Sequence, residues 1–90
     1  MKYILFKRTY KGYGYMEILF GKTNIGYKQI AQWHPYRTNG WTDVLHNLET
    51  NRLTKGAMIM RMKRVVSYQI VPLSQDEADE ILQEVFVNSL

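Results

Sequence analysis

The sequence predicts an α+β fold: an N-terminal antiparallel β-meander, a helix, a long strand and a C-terminal amphipathic helix packed on the sheet. The N-terminal part is rich in β-branched and aromatic residues, and glycine-containing turns interrupt it. The C-terminal segment instead repeats apolar residues at helical spacing after a serine cap. Ninety residues, of which 46% are hydrophobic, predict a single compact domain over residues 1–90.

The meander begins with a hairpin. Residues 2–10 and 15–22 are predicted strands, and residues 11–14 between them hold two glycines that can take positive φ. Residues 23–26 carry a second turn signal. A third segment, residues 27–33, fits two structures. A strand would place Tyr27, Gln29, Ala31 and Trp33 on one face, whereas a helix would align Tyr27, Ile30, Ala31 and His34.

The middle of the chain is predicted to hold a loop, a helix and a long strand. Pro35 and the pair Asn39-Gly40 interrupt regular structure over residues 34–40. A helix is predicted over about 42–54, because apolar residues then recur at helical spacing: Trp41, Val44, Leu45 and Leu48. Residues 57–72 read as one long strand, or two joined at a bulge, ended by Pro72. Its predicted core face holds the even positions, which include Met58, Met60, Met62, Val66, Tyr68 and Ile70.

The last predicted element is a helix that starts at a capping box, with Ser74 at the N-cap and Glu77 three residues later. Five apolar residues form its predicted buried stripe: Ala78, Ile81, Leu82, Val85 and Phe86. This stripe predicts that the helix packs on the sheet and stabilises the domain.

The charge is divided along the chain. All twelve Lys and Arg lie in residues 1–64 with only three acids, so that part carries a formal charge of +9. Residues 65–90 contain five acids and no base, which gives −5 and a total of +4. A basic segment of this kind favours a polyanionic partner, and nucleic acid is the commonest one. The acidic C-terminal helix could instead lie near the basic surface and screen it.

Two groups of residues are candidates for such binding. Residues 33–41 form a loop with both tryptophans at its ends, where packing in the core is the favoured role for Trp33 and Trp41. Tyr36 and Arg37 lie within the loop, where a ring and a guanidinium can stack on a base and pair with a phosphate. The second group is a set of basic residues on the predicted strands, several of which could share one exposed face. The predicted nucleic-acid-binding residues are Lys7, Arg8, Lys28, Tyr36, Arg37, Arg61, Lys63 and Arg64.

Residues 29–48 resemble a helix-turn-helix, with Ile30-Ala31 at the position of that motif's apolar and small residues. Lys55-Gly56 and the strand after it would then resemble the wing of a winged-helix domain. The resemblance implies a duplex-DNA-binding protein whose recognition helix begins near Trp41. It provides one alternative hypothesis for the function.

Catalysis has little support in the sequence. The chain has no cysteine, and neither His34 nor His46 stands at metal-ligand spacing from another ligand. We therefore expect no catalytic residue, metal or cofactor. No apolar run reaches the length of a membrane helix, so we expect no membrane partner and a cytoplasmic location, in its own or a host cell.

The leading hypothesis is a small non-enzymatic protein that binds nucleic acid or a nucleotide through the basic strand face and the aromatic loop. The main alternative is a viral, phage-type accessory protein that binds and inhibits a host protein. Its acidic helix would present carboxylates to an enzyme's nucleic-acid groove. A homodimer is compatible with either hypothesis.

Overall fold

The fold was analysed in a computed structural model, which describes residues 2–12, 14–24, 26–35, 40–43, 52–53 and 65–90. The described strands are β1 (Lys2–Tyr10), β2 (Tyr15–Thr23), β3 (Gly26–Trp33), β4 (Thr42–Asp43), β5 (Arg52–Leu53) and β6 (Val65–Leu73). They form one antiparallel sheet in the order β4-β3-β2-β1-β6, and β5 also pairs with β3. Helix α1 (Gln75–Asn88) follows β6, which confirms the α+β class.

The first two predicted turns are confirmed. Gly12 has a φ of 96°, and the N–H of Tyr10 donates to the carbonyl of Gly14 at 2.8 Å, which closes the hairpin between β1 and β2. Gly26 has a φ of 135°, and the hydroxyl of Thr23 donates to its carbonyl at 3.0 Å. These left-handed backbone conformations suit glycine, so local sequence determines both connections.

Residues 26–33 form a strand, which decides between the two structures open for this segment. The prediction that a strand would place Tyr27, Ala31 and Trp33 on one face is wrong, however. A bulge interrupts the β2–β3 ladder, where Leu19 pairs with Ala31 but the next residue, Phe20, pairs with Gln29. The extra residue, Ile30, reverses the alternation. Tyr27 therefore packs on one side of the sheet, whereas Ala31 and Trp33 pack on the other.

The structure contradicts the helix predicted over 42–54 at both of its described parts. Thr42–Asp43 and Arg52–Leu53 are short strands that pair with the outer edge of β3, while residues 44–51 and 54 lie outside the described residues. Pairing with a distant strand has overridden the local helical spacing. The helix-turn-helix interpretation is also wrong, because its first helix would occupy the residues that form β3.

The long predicted strand is described only from Val65, and residues 57–64 lie outside the described ranges. Strand β6 continues through Pro72 to Leu73, one residue beyond the predicted end. An edge strand tolerates proline where the missing N–H points away from the neighbouring strand. The predicted core face is also wrong in part. Val66 and Tyr68 are 62% and 50% exposed, whereas Val71 and Leu73 pack under the helix.

Helix α1 starts as predicted. The Ser74 hydroxyl accepts from the N–H of Glu77 at 3.1 Å, and the Glu77 carboxylate accepts from the N–H of Ser74 at 3.0 Å. Ala78 is buried, and Ile81, Leu82 and Val85 pack on the sheet. Phe86, placed in the same stripe by its spacing, is 61% exposed. Two residues on the opposite border of the stripe, Glu84 and Asn88, instead bind the backbone of Trp41, and this turns Phe86 outward.

The sheet has two packed faces. The helix face carries a cluster centred on Leu5, Leu19, Ala31 and Trp41, which α1 covers. The second face carries Phe6, Ile18 and Phe20, with Ile4, Met16, Tyr27 and Ile70 against them. Both faces of β1 and β2 are therefore buried, as expected for strands that alternate between two sets of apolar residues.

Candidate nucleic-acid interface

Three of the eight predicted binding residues lie within the described part of the chain: Lys7, Arg8 and Lys28. The other five, Tyr36, Arg37, Arg61, Lys63 and Arg64, lie outside the described residues. Lys7 and Arg8 are neighbours on β1, so their side chains leave opposite faces of the sheet. A single exposed basic face that includes both is therefore excluded.

Lys7 lies on the helix face in register with Glu17 of β2 and Gln69 of β6. Glu17 is a carboxylate with only 8% of its surface exposed. Burial, together with a hydrogen bond to Glu17, raises the pKa of the neighbouring Tyr15 from 10.0 to about 12. Lys7 thus stands beside a buried negative charge, which reduces what it can offer to a phosphate.

Arg8 lies on the second face and belongs to the packing there. Its guanidinium stands 5.7 Å from the ring centre of Phe6 and 5.5 Å from that of Tyr10. One terminal nitrogen donates to the sulfur of Met16 at 2.7 Å, and the buried Nε has no hydrogen-bond partner among the described residues. Burial lowers the pKa of Arg8. These contacts hold the guanidinium within the fold, where it stacks on aromatic rings.

Among the described residues, exposed lysines gather at the opposite end of the sheet. Lys2 of β1 is directly opposite Lys22 of β2, and Lys22 is directly opposite Tyr27 of β3. The three residues form a row across three strands. Both lysines are exposed. Like charges in directly opposed positions of a sheet repel each other.

This row borders a groove of about 500 Å³, which we call the lysine groove. Its described lining contains two ammonium groups, two tyrosines and the first residue of α1, and no carboxylate: Lys2, Tyr3, Ile4, Lys22, Tyr27, Pro72, Leu73 and Gln75. The nearest acids in sequence begin the helix, where the Glu77 carboxylate is already bonded to the N–H of Ser74. The groove thus combines positive charge with aromatic surface.

Lys28 adds to the charge at this end of the sheet. It is exposed, and its register partner on β5 is Arg52. This register pairs the backbone of Lys28 with that of Arg52 at the outer edge of β3. Because Lys28 follows Tyr27 on β3, its side chain leaves the opposite face of the sheet, and it does not line the lysine groove.

Sequence reasoning missed Lys2 and did not select Lys22. The signal was present in the first hairpin, because a turn centred on Gly12 pairs residues at equal distances on either side of it. Residue 10 then meets residue 14, and residue 2 meets residue 22, as the structure shows. Register, rather than composition, brings this pair together.

The tryptophans at the ends of the aromatic loop serve the core, which confirms the role favoured for them. Trp41 is 8% exposed, and its ring centre lies 6.3 Å from that of Trp33. The backbone N–H of Trp41 donates to the Glu84 carboxylate at 2.8 Å, and the backbone carbonyl of Trp41 accepts from the Asn88 side chain at 2.8 Å. These contacts attach the end of α1 to the start of β4.

A second groove of about 490 Å³ opens where α1 leaves the helix face uncovered. Its described lining is polar and includes a single cation: Lys7, Thr9, Tyr15, Ser67, Tyr68 and Gln69. Because that cation lies beside Glu17, this groove is less suited to a polyanion than the lysine groove.

Within the described residues, no three His, Cys, Asp or Glu side chains lie close enough together to hold a metal ion. No helix of the described part is long and apolar enough to span a lipid bilayer. Comparisons with protein-family models, with curated proteins and with solved structures find no match to this chain. Proposals for its function therefore depend on the geometry alone.

Proposed function

We propose that the protein is a small non-enzymatic binder of nucleic acid or a nucleotide, and that the lysine groove holds the phosphates. The observation that carries this proposal is the directly opposed pair Lys2 and Lys22 in a groove whose described lining has no carboxylate.

The energetic argument begins with repulsion. Directly opposed residues in an antiparallel ladder have Cβ atoms about 4.5–5.5 Å apart, and two like charges there destabilise the pair. A phosphate between the two ammonium groups converts this repulsion into two charge-assisted contacts. Tyr27, next in the same row, supplies a ring and a hydroxyl at the groove. Rings of this kind stack on bases with little regard to sequence.

The expected affinity is modest and depends on salt. Each phosphate neutralised on a single strand contributes about −0.7 to the slope of log K against log salt. Two phosphate contacts at Lys2 and Lys22 therefore predict a contribution of about −1.4. Binding of this kind requires no base-specific contact, so we expect similar affinities for unrelated sequences.

The test is a titration of a fluorescent single-stranded oligonucleotide at several salt concentrations. Lys22→Gln should weaken binding at low salt and lower the slope by about 0.7. The matched control is Lys11→Gln, which removes the same charge from an exposed position in the turn at the other end of the sheet. Equal losses in both variants would show that only net charge matters. No binding by the unaltered protein at low salt would reject the proposal.

The predicted residues outside the described ranges have their own test in the same assay. If they form a further binding surface, changing Arg61, Lys63 and Arg64 to Glu abolishes binding. The double change Tyr36→Ala and Arg37→Ala would weaken it by about 1–3 kcal/mol. Undiminished binding in both would leave the lysine groove as the site.

One observation favours the alternative of a host-protein inhibitor. Phe86 and Val87 of helix α1 are 61% and 54% exposed, Leu90 just after the helix is 90% exposed, and the helix also exposes Glu80 and Glu84. Exposed apolar residues bordered by charge are typical of protein interfaces. A pull-down with and without nuclease separates the two functions. A partner that survives nuclease and is lost on Phe86→Ser would support the inhibitor, whereas loss on nuclease treatment alone would support nucleic-acid binding.

A further inference from the structure

Strand β6 is an edge of the described sheet, and no described strand pairs with its outer side. Within the described part of the chain it pairs only with β1. Its central side chains are exposed, with Val66 at 62% and Tyr68 at 50%, and Ser67 and Gln69 are exposed as well. A long exposed edge of this kind offers unpaired backbone groups to another strand.

Strand β6 lacks the charged side chains that usually protect an edge strand from pairing with another chain. Proteins commonly place lysine or other charges on an edge strand to prevent pairing. Residues 65–75 contain no charged side chain, although the complete chain has twenty charged residues among ninety. Two copies of residues 65–75 can therefore pair without placing like charges opposite each other, despite the net charge of +4.

Two observations show which backbone groups point outward. The N–H of Tyr10 bonds to Gly14, so even-numbered residues of β1 direct their backbone groups toward β2. The backbone groups of odd-numbered β1 residues then point toward β6. The β6 residues opposite the even-numbered β1 residues therefore direct their own backbone groups outward. By the β1–β6 register these partners are Tyr68, Ile70 and Pro72. Pro72, which has no N–H, lies at such a position, as expected.

This arrangement is complementary to itself. If two β6 strands meet antiparallel about a two-fold axis at Gln69, Tyr68 of each copy pairs with Ile70 of the other. Both pairs then exchange two backbone hydrogen bonds, and each places an aromatic ring beside a β-branched side chain. The two Gln69 side chains face each other across the axis.

The ends of the segment and the opposite edge of the sheet limit the assembly to two copies. A bulge interrupts the β1–β6 ladder between Thr9 and Tyr10, and Pro72 removes a donor at the other end. The short strands β4 and β5 occupy the outer edge of β3. A closed two-fold pairing uses the long edge strand that each copy presents within its described residues.

We propose that β6 is a homodimer interface in which a second copy of this chain extends the sheet, centred on Gln69. This inference does not depend on nucleic-acid binding, since β6 takes part in the lysine groove only through Pro72 and Leu73.

The test is the mass of the protein in solution as a function of concentration, together with a charge exchange at residue 69. The chain has a mass of 10.7 kDa, and we expect the mass to rise toward twice that value. Gln69→Glu and Gln69→Lys each place like charges across the axis. Each should weaken dimerisation about five-fold or more. Mixing the two variants pairs opposite charges and should restore the dimer.

Gln83→Glu and Gln83→Lys are the matched controls, because Gln83 is exposed on α1 and the charge changes are the same. They should dimerise like the unaltered protein. Melting curves of the Gln69 variants verify folding, and amide exchange at Tyr68 and Ile70 should slow as the dimer forms. A protein that stays at 10.7 kDa at every concentration overturns the proposal. So does a dimer that is insensitive to Gln69, or a monomer that captures an extended peptide of another sequence instead.

Discussion

Gly40 provides a sensitive test of how the end of α1 is attached to the sheet. A methyl group on Gly40 would stand 2.9 Å from the side-chain nitrogen of Asn88 and 3.3 Å from the carboxylate of Glu84. The first distance is too short to persist, and the Asn88 side chain can rotate away. Rotation breaks its 2.8 Å hydrogen bond to the carbonyl of Trp41. We therefore predict that Gly40→Ala acts through Asn88.

The magnitudes follow from two opposing effects on the free energy of unfolding. Loss of the Asn88 hydrogen bond costs about 0.5–1.5 kcal/mol. Replacing glycine by alanine where φ is not positive stabilises by about 0.4–1 kcal/mol, because the unfolded chain loses conformational freedom. Gly40 does not have a positive φ. Gly40→Ala alone should therefore change stability by no more than about 1 kcal/mol.

In an Asn88→Ala background the hydrogen bond is already absent, so its loss no longer opposes the favourable effect. There, Gly40→Ala should be more favourable than in the unaltered protein by about 0.5–1.5 kcal/mol, the contribution of that hydrogen bond. Adjustment of Glu84 is required in both backgrounds and cancels in the comparison. The assay is urea denaturation of the four proteins of this double-mutant cycle. Equal effects of Gly40→Ala in both backgrounds would refute the reasoning.

Further predictions concern the core, the pH dependence and the helix cap. Phe6→Ala should cost about 3–5 kcal/mol, since the ring is 1% exposed and packs edge-on against another phenylalanine. Phe86→Ala should cost less than about 1 kcal/mol because that ring is mostly exposed. Thermal melting of the two variants compares these losses. The pKa of Tyr15, raised in the folded state from 10.0 to about 12, predicts stability that is fully present below pH 10 and is lost as the pH rises from 10 to 12. Tyr15→Phe should make the fall in Tm over that range less steep, and an unchanged pH profile would contradict this. Ser74→Ala should cost about 1 kcal/mol in urea denaturation through loss of the cap, whereas Ser89→Ala, outside the capping box, should cost less.

The best-predicted parts of the fold are those whose signals lie within a few residues of each other. The first hairpin depends on Gly12 at a position of positive φ, and α1 depends on the reciprocal bonds between Ser74 and Glu77. Such signals operate before any distant contact forms, so the sequence shows them directly. The prediction for Phe86 was wrong because spacing along a helix does not determine how the helix is rotated. Contacts with Trp41 determine that rotation.

The candidate site also combines features that local sequence predicts with features that depend on tertiary contacts. Alternation along β1 already separates Lys7 from Arg8, and the hairpin register already implies that Lys2 faces Lys22. Grouping the basic residues by composition overlooked both facts. The burial of Arg8 among Phe6, Tyr10 and Met16 could not be read from β1 alone, because it depends on the strand and the turn that follow it.

The sequence by itself determined the α+β class, both N-terminal turns, the start of α1 and the charge asymmetry, because each depends on neighbouring residues or on composition. Only the tertiary structure decided that a bulge at Ile30 reverses the faces of β3, that residues 42–43 and 52–53 are strands, and that β6 is an edge of the described sheet. The physical reason is that strand pairing is satisfied by partners far away in the chain. The free energy of that pairing and of the packing it permits exceeds the weak local preferences that periodicity reports.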